Sequence, residues 1–117
     1  MFDETIQVSL DDLRDRMRSI HPPCVEMVDE IERLVRSGGK RIRPTFCYMA
    51  FRGLGGEHCP EIILAASSLE MLHTFALIHD DIMDRSMMRR GRPSTYSTRP
   101  TDAVLIGDLA FALSDSM

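Results

Sequence analysis

The sequence has no tryptophan, only three cysteines and no excess of positive charge over its 117 residues. Its net charge of −4 at pH 7 argues against a nucleic-acid-binding protein, because binding to a phosphate backbone needs a basic surface. Cys24, Cys47 and Cys59 are odd in number and show no Cys-x-x-Cys spacing, which predicts reduced thiols in a cytoplasmic protein. No Ser-His or Cys-His arrangement indicates nucleophilic catalysis by a side chain.

Long apolar runs, internal repeats and low-complexity segments are also missing. We find no apolar stretch of the roughly 20 residues that a membrane span needs, which predicts a chain without one. Acidic residues close to the N-terminus, Asp3, Glu4, Asp11 and Asp12, argue against a signal peptide. We therefore expect a single domain over residues 1–117, large enough to bury a core.

Apolar periodicity and helix-boundary signals predict an all-α fold, a bundle of four to five helices with short connections. Ser9-x-x-Asp12 resembles a capping box and predicts a helix over residues 9–19. Pro22-Pro23 would begin a second helix, which Ser37-Gly38-Gly39 would end. Further helices are predicted over about 41–52, 61–85 and 102–115, with a loop over 86–100.

The segment His79-Asp80-Asp81-Ile82-Met83-Asp84 lies at the end of the longest apolar-periodic run. In a helix, Asp80 and Asp84 lie one turn apart on one face, where two carboxylates can share a hard divalent cation such as Mg²⁺. Arg89 and Arg90 follow closely, and guanidinium groups match phosphate oxygens bidentately. The alternative is a solvated helix face, with arginines that complement the helix dipole.

A second basic cluster, Gly38-Gly39-Lys40-Arg41-Ile42-Arg43-Pro44, lies at a predicted helix start. Cations at that end oppose the helix dipole, so a ligand explains them better than stability does. The two glycines would let backbone N–H groups approach an anion. His73 lies two helical turns before Asp80 on the same face, and its alternative is a histidine packed in the core.

The segment Asp11-Asp12-Leu13-Arg14-Asp15 shows the same Asp-Asp-x-x-Asp spacing near the N-terminus. It is interleaved with arginines, has almost no apolar flank and lies at a predicted helix start, where acidic residues are favoured by the dipole. We interpret it as a solvated helix face and not as a metal site.

Together these motifs resemble the trans-isoprenyl diphosphate synthases, or polyprenyl synthetases, which include the farnesyl and geranylgeranyl diphosphate synthases. The similar segments run from Gly38 to about Asp108: the Gly-Gly-Lys-Arg cluster, His73, the aspartate motif, and Arg89-Arg90-Gly91-x-Pro93. The resemblance implies a fold like the N-terminal half of an isoprenoid synthase.

The resemblance also implies the condensation of isopentenyl diphosphate with an allylic diphosphate, with Mg²⁺ as cofactor. The catalytic residues would be Asp80, Asp81 and Asp84, with Asp80 and Asp84 as metal ligands and Asp81 in a supporting place. Isopentenyl diphosphate would be bound by Lys40, Arg43, His73 and Arg90, and the allylic diphosphate would face Arg89. Phe75 and Ala76, just upstream of Asp80, would set a medium product length of about C15 to C25. The alternative is that Phe75 is packed in the core.

The family needs a second aspartate-rich motif and further lysines, and this sequence has no such motif outside the segment at Asp11. We therefore expect a partial domain whose C-terminal half is absent and which needs a homo-oligomer or a C-terminal-half partner. One alternative is a non-catalytic diphosphate-binding or regulatory half-domain that associates with a full-length synthase. Another is a metal phosphohydrolase that uses His79 and Asp80 with His58 or His73, in which the basic clusters have no role.

Overall fold

A computed structural model describes all residues from 1 to 117 and contains six α-helices and one short hairpin. The elements are α1 (Phe2–Ile20), α2 (Val25–Arg36), α3 (Ile42–Gly53), α4 (Pro60–Asp84), β1 (Met88–Arg89), β2 (Arg92–Pro93), α5 (Thr95–Thr98) and α6 (Ala103–Ser116). The predicted all-α class is confirmed. The helix count exceeds the predicted four to five because α5, a single turn, forms inside the segment predicted as a loop.

The prediction for the first helix is wrong at its N-terminus, because α1 begins at Phe2 and Ser9 lies within it. Ile6 and Leu10, one turn apart, are both buried in the core, so the first turns are held by packing and not by a cap at Ser9. The second helix also begins later than predicted. The two prolines form a 3-10 turn, Pro22–Cys24, and α2 follows it directly.

The core lies where α1, α2, α4 and α6 meet. It consists of aliphatic side chains that recur at helical spacing on the inner face of each helix, and α4 packs along the length of α6. Ile31, Met71 and Ile106 are each fully buried, and removal of such a side chain from water contributes about 1.5–3 kcal/mol. The central position of α4 fixes the direction in which its remaining side chains point.

The helix α4 has 25 residues, with Pro60 at its first turn and Arg85 in the left-handed conformation at its end. The prediction that no apolar stretch reaches membrane-spanning length is wrong, because α4 is long and apolar enough by length and composition. The core helix of a globular protein can have the same length and composition. The inner face of α4 is packed against the other helices.

The segment after α4 folds back on itself as a hairpin. Met88–Arg89 pairs antiparallel with Arg92–Pro93, and both connecting residues, Arg90 and Gly91, have positive φ angles of 51° and 74°. Two such residues define the turn that best matches the twist of paired strands. Ser94 then caps α5 by accepting a hydrogen bond from the Ser97 backbone N–H.

A buried carboxylate on α2, Glu30, fastens this segment to the bundle. It accepts hydrogen bonds from Arg33 (2.6 and 3.0 Å) and from the hydroxyls of Thr95 and Thr98 (3.0 Å each). Arg33 donates onward to the Pro93 carbonyl at 3.0 Å. Burial alone would raise the pKa of Glu30, but the hydrogen bonds from Arg33 and Thr95 outweigh it and lower that pKa.

Candidate functional site

Two carboxylates, Asp80 and Asp84, lie on the exposed face of α4 near its C-terminal end. Neither forms a hydrogen bond or salt bridge within the chain, in contrast to their neighbour Asp81. No group of three or more His, Cys, Asp or Glu side chains is arranged to hold a metal ion. Two free carboxylates could supply only part of a coordination shell, and Mg²⁺ is an ion that usually takes its remaining ligands from water and phosphate oxygens.

Asp81 points into the protein and has only 3% of its surface exposed. Both of its carboxylate oxygens accept hydrogen bonds from Arg89, Oδ2 from Nε and Oδ1 from Nη2, each at 2.8 Å. These bonds raise the pKa of Arg89, and the negative charges of Asp80 and Asp84 add to the effect. Asp81 thus fixes the orientation of the Arg89 guanidinium, and its supporting place in a catalytic site stays a prediction.

The two basic clusters of the sequence meet in space although about 50 residues separate them. Arg90 donates from Nη1 to the Gly38 carbonyl at 2.7 Å. Its guanidinium also lies against Gly39, where an added Cβ would come within 3.2 Å of Nη2. Gly38 and Gly39 have φ angles of 130° and 115°, which side chains rarely adopt, so both glycines are needed for this close approach.

His73 lies half-buried on α4, two helical turns before Asp80. Its pKa is lowered first by burial and then by the positive charge of Arg43, with smaller contributions from Arg90 and Arg89, while Glu70 opposes the shift. The positive charges of the predicted basic residues Arg43, Arg89 and Arg90 therefore all act on His73. Lys40 and Arg43 are exposed and form no salt bridge, so both are free to meet an anion.

The two residues predicted to limit product length differ in their surroundings. Phe75 is half-buried, with its ring centroid 4.8 Å from that of His79 and 5.0 Å from that of Phe111 on α6. Ala76 is exposed on the face of α4 that carries Asp80. Phe75 thus packs between α4 and α6, whereas its neighbour Ala76 opens onto the carboxylate face; the role of both in product length stays a prediction.

The histidines proposed for a metal phosphohydrolase are not brought together. The Nε2 atom of His79 lies 3.2 Å from the Val104 carbonyl, and its ring fills the space beside Gly107 on α6. His58 bonds Tyr48 at 2.9 Å, near the opposite end of α4 from Asp80. The structure does not support that alternative.

The aspartates of the N-terminal motif are engaged with arginines. Each forms a salt bridge within α1: Asp11 with Arg14, Asp12 with Arg16 and Asp15 with Arg18. This segment is the solvated helix face that its interleaved charges predicted.

Sequence reasoning missed two buried carboxylates, Glu30 and Glu70. Each stands within an apolar periodic run, at a position where a core residue would be expected. That interruption was the only signal in the sequence, and it did not indicate a partner.

The fold and this face define an all-α protein with free carboxylates beside a cluster of basic side chains. The family model described as Polyprenyl synthetase matches residues 25–117, and the chain belongs to this family. Over 72% of its length it is 46% identical to a geranylfarnesyl diphosphate synthase of Aeropyrum pernix. Over 96% of its length it is 35% identical to a short chain isoprenyl diphosphate synthase of Methanothermobacter thermautotrophicus.

Solved structures agree with this assignment. A decaprenyl diphosphate synthase from Rhodobacter capsulatus superposes on 99% of the chain with a TM-score of 0.75 and 33% identity. A polyprenyl synthase from Caulobacter crescentus, complexed with calcium and isoprenyl diphosphate, superposes with a TM-score of 0.72 and 29% identity. The chain spans 27% and 32% of the two curated relatives and 37% of each of these structures.

Proposed function

We propose that this chain supplies the diphosphate-binding face of a prenyltransferase. In this proposal, the face binds isopentenyl diphosphate and an allylic diphosphate and takes part in their condensation to a medium-chain prenyl diphosphate. It does so in a homo-oligomer or together with a partner that supplies a C-terminal half. The observation that carries the proposal is the contact between the two basic clusters, in which Arg90 donates to the Gly38 carbonyl, together with the free carboxylates Asp80 and Asp84 on the exposed face of α4.

The basic side chains would divide the two diphosphates between them. Lys40, Arg43, His73 and Arg90 would bind isopentenyl diphosphate; the charges of Arg43 and Arg90 both act on His73. Arg89, held by Asp81 next to Asp80 and Asp84, would face the allylic diphosphate. Guanidinium groups form paired hydrogen bonds with phosphate oxygens, so fixed arginines would orient both substrates.

Asp80 and Asp84 would hold Mg²⁺, which when bound stabilises negative charge on phosphate oxygens. In the proposed reaction the allylic carbon–oxygen bond breaks and diphosphate leaves. The isopentenyl double bond then forms a new carbon–carbon bond, and a proton passes to the released diphosphate. The Caulobacter structure, which holds calcium and isoprenyl diphosphate, supports a divalent cation and an isoprenyl substrate in this family.

The hydrocarbon tail would lie along the exposed face of α4 below the carboxylates. Ala76 and Leu72 are exposed there, one and two turns from Asp80. Phe75 and Phe111 would limit the tail, which is the basis for proposing a product of about C15 to C25. The relatives named above range from short-chain to decaprenyl synthases, so family membership alone leaves the product length open.

The second candidate is a non-catalytic half-domain that binds diphosphate or regulates a full-length synthase. The observation that favours it is the single free carboxylate pair, because no group of three or more His, Cys, Asp or Glu side chains in the chain is arranged to hold a metal ion. Both candidates predict binding of diphosphate with Mg²⁺, and only the first predicts product.

The first experiment is calorimetric titration of the purified chain with isopentenyl diphosphate, with and without Mg²⁺. We expect Asp80→Asn to weaken the Mg²⁺-dependent affinity at least tenfold, about 1.4 kcal/mol. The matched control is Asp15→Asn, in the N-terminal motif of the same spacing, which should leave the affinity unchanged. Because Lys40 is the only lysine of the chain, acetylation followed by peptide mass analysis gives a second readout: bound diphosphate should protect it.

A mass-spectrometric assay with isopentenyl diphosphate, an allylic diphosphate and Mg²⁺ then separates the two candidates. Prenyl diphosphate product supports the transferase, and binding without product supports the half-domain. Absence of both binding and product contradicts the proposed function.

A further inference from the structure

Arg41 stands between the proposed ligands Lys40 and Arg43, yet its side chain turns inward and is only 15% exposed. Its Nε donates to Asp3 on α1 at 2.7 Å and its Nη1 to Glu70 on α4 at 3.2 Å. Nη1 and Nη2 also donate to the carbonyls of Gly38 (3.2 Å) and Val35 (2.9 Å). One guanidinium therefore joins α1, the end of α2, the glycine segment and α4.

The charge of Arg41 is met by two carboxylates, one of which, Glu70, is almost completely buried. All three guanidinium nitrogens of Arg41 donate to groups of the protein, so none is left free for a diphosphate, whereas Arg89 keeps its Nη1 free. Removing one member of such a partly buried network leaves charged groups without partners, which is destabilising. The network therefore favours one arrangement of the Arg41 side chain. The side chain is thus suited to holding backbone in place rather than to binding substrate.

The backbone that Arg41 holds is the one that Arg90 touches from the other side. Both arginines donate to the same Gly38 carbonyl. Both guanidinium groups lie against Gly39, where an added Cβ would be 3.1 Å from Arg41 Nη1 and 3.2 Å from Arg90 Nη2. The glycine segment is therefore clamped between an inner and an outer arginine.

The local backbone supports a functional reason for this arrangement. Arg41 has a φ angle of 52°, in the left-handed region that residues with a Cβ adopt at a cost of about 1 kcal/mol. Strain of this kind persists where surrounding contacts over-determine it, and at Arg41 these contacts are the hydrogen bonds of its own guanidinium group.

We propose that Arg41 is a positioning residue of the diphosphate site. Resting on the proposed function, the inference is that Arg41 fixes the Gly38–Lys40 segment, and through the Gly38 carbonyl orients Arg90 toward an anion. Glu70 and Asp3 hold Arg41 in turn. Lys40 and Arg90 then reach one diphosphate from opposite sides of the clamped segment.

The test is the affinity of the whole chain for inorganic diphosphate with Mg²⁺ after Arg41→Lys, which keeps the charge and loses the fork. We expect binding about tenfold weaker, with an unchanged helical circular dichroism spectrum. The matched control is Arg36→Lys, on an exposed arginine of α2 that bonds Glu32 and Gln7, for which we expect less than a twofold change. A change below twofold for Arg41→Lys overturns the proposal.

Repeating the Arg41→Lys substitution in the Arg90→Ala chain distinguishes a positioning role that acts through Arg90 from a general structural role of Arg41. If Arg41 acts through Arg90, the factor should fall to threefold or less in that background. The same tenfold factor in both backgrounds overturns the proposed route through Arg90. Should Arg41→Lys fail to fold, Asp3→Asn removes one support at an exposed site and should weaken binding two- to threefold; no change would contradict the proposal.

Hydrogen exchange over residues 35–43 distinguishes failure of this inference from failure of the proposed function. If the unaltered chain binds no diphosphate, the proposed function fails. The exchange experiment then still shows whether Arg41 holds the glycine segment in place. Faster exchange in this segment after Arg41→Lys, with α6 unchanged, supports the clamp. Unchanged exchange overturns it.

Discussion

At the scale of residues, adjacent aspartates in one motif have different surroundings because a helix turns by about 100° per residue. Asp80 faces solvent, whereas Asp81 faces the interior and holds Arg89 through two hydrogen bonds. The spacing of the motif predicted that Asp80 and Asp84 share a face. It also left Asp81 on another face, but nothing in the sequence indicated that Arg89 is its partner.

We expect Asp81→Asn to lower the free energy of unfolding by about 2–3 kcal/mol, because it leaves the partly buried Arg89 without its charged partner. Its binding of diphosphate should weaken but should still depend on Mg²⁺. Asp80→Asn should show the opposite pattern, with stability within about 0.5 kcal/mol and no Mg²⁺ dependence. Urea unfolding and calorimetric titration of the two variants measure both effects, and loss of Mg²⁺ dependence in Asp81→Asn would contradict this division of roles.

At the scale of elements, the sequence predicts helices well where periodicity and boundary residues agree. The helices α3, α4 and α6 lie within one residue of their predicted bounds at both ends, because proline, glycine and apolar spacing indicate the same limits. The start of α1 was missed because a plausible cap at Ser9 outweighed Ile6, a single buried residue whose packing depends on other helices.

The contacts that build the site could not be predicted from periodicity, because they join distant parts of the chain. Arg90 meets Gly38 across 52 residues, and Thr98 meets Glu30 across 68. The sequence indicated that the two basic clusters were unusual, and it did not show that they touch. Only the resemblance to a family suggested that they share a substrate.

The hydrogen bonds of Glu30 hold the segment after α4 on α2, and substitution of Glu30 tests their contribution to stability. We expect Glu30→Gln to lower the free energy of unfolding by about 2 kcal/mol at neutral pH, because Arg33 loses its charged partner. The pKa of Glu30 is lowered in the fold, so its contribution is complete above the unfolded value of about 4.3 and is lost as pH falls through the folded value. The difference between the two chains should therefore shrink below about pH 4.

Urea unfolding at a series of pH values measures this difference. Glu57→Gln is the control, because Glu57 is exposed and forms no salt bridge, and it should change stability by less than about 0.5 kcal/mol. A difference for Glu30→Gln that persists unchanged into acid would show that its charge is not the cause.

At the scale of the whole molecule, the outer faces of α3, α4 and α6 expose large apolar side chains: Phe46, Met49, Leu72, Val104, Leu105 and Phe111. An open groove of about 610 Å³ runs between α4 and α6 and is lined partly by Leu69, Leu72 and Phe111. Contiguous apolar surface marks a contact site, and the residues that line this groove form such a surface. In the relatives, which are about three times as long, further residues are available to cover such faces.

We expect the isolated chain to self-associate through this surface, because burial of exposed apolar side chains is favourable by about 25 cal/mol per Å². Phe111→Asp places a charge at the edge of the groove, where a side chain is now 49% exposed, and should shift the native mass toward the 13.3 kDa monomer. Val8→Asp, at an exposed apolar position on α1, is the matched control and should leave the mass unchanged. Sedimentation at several concentrations measures the effect: a chain that is monomeric throughout would rule out association by this face, and equal dissociation by both substitutions would assign it to another surface.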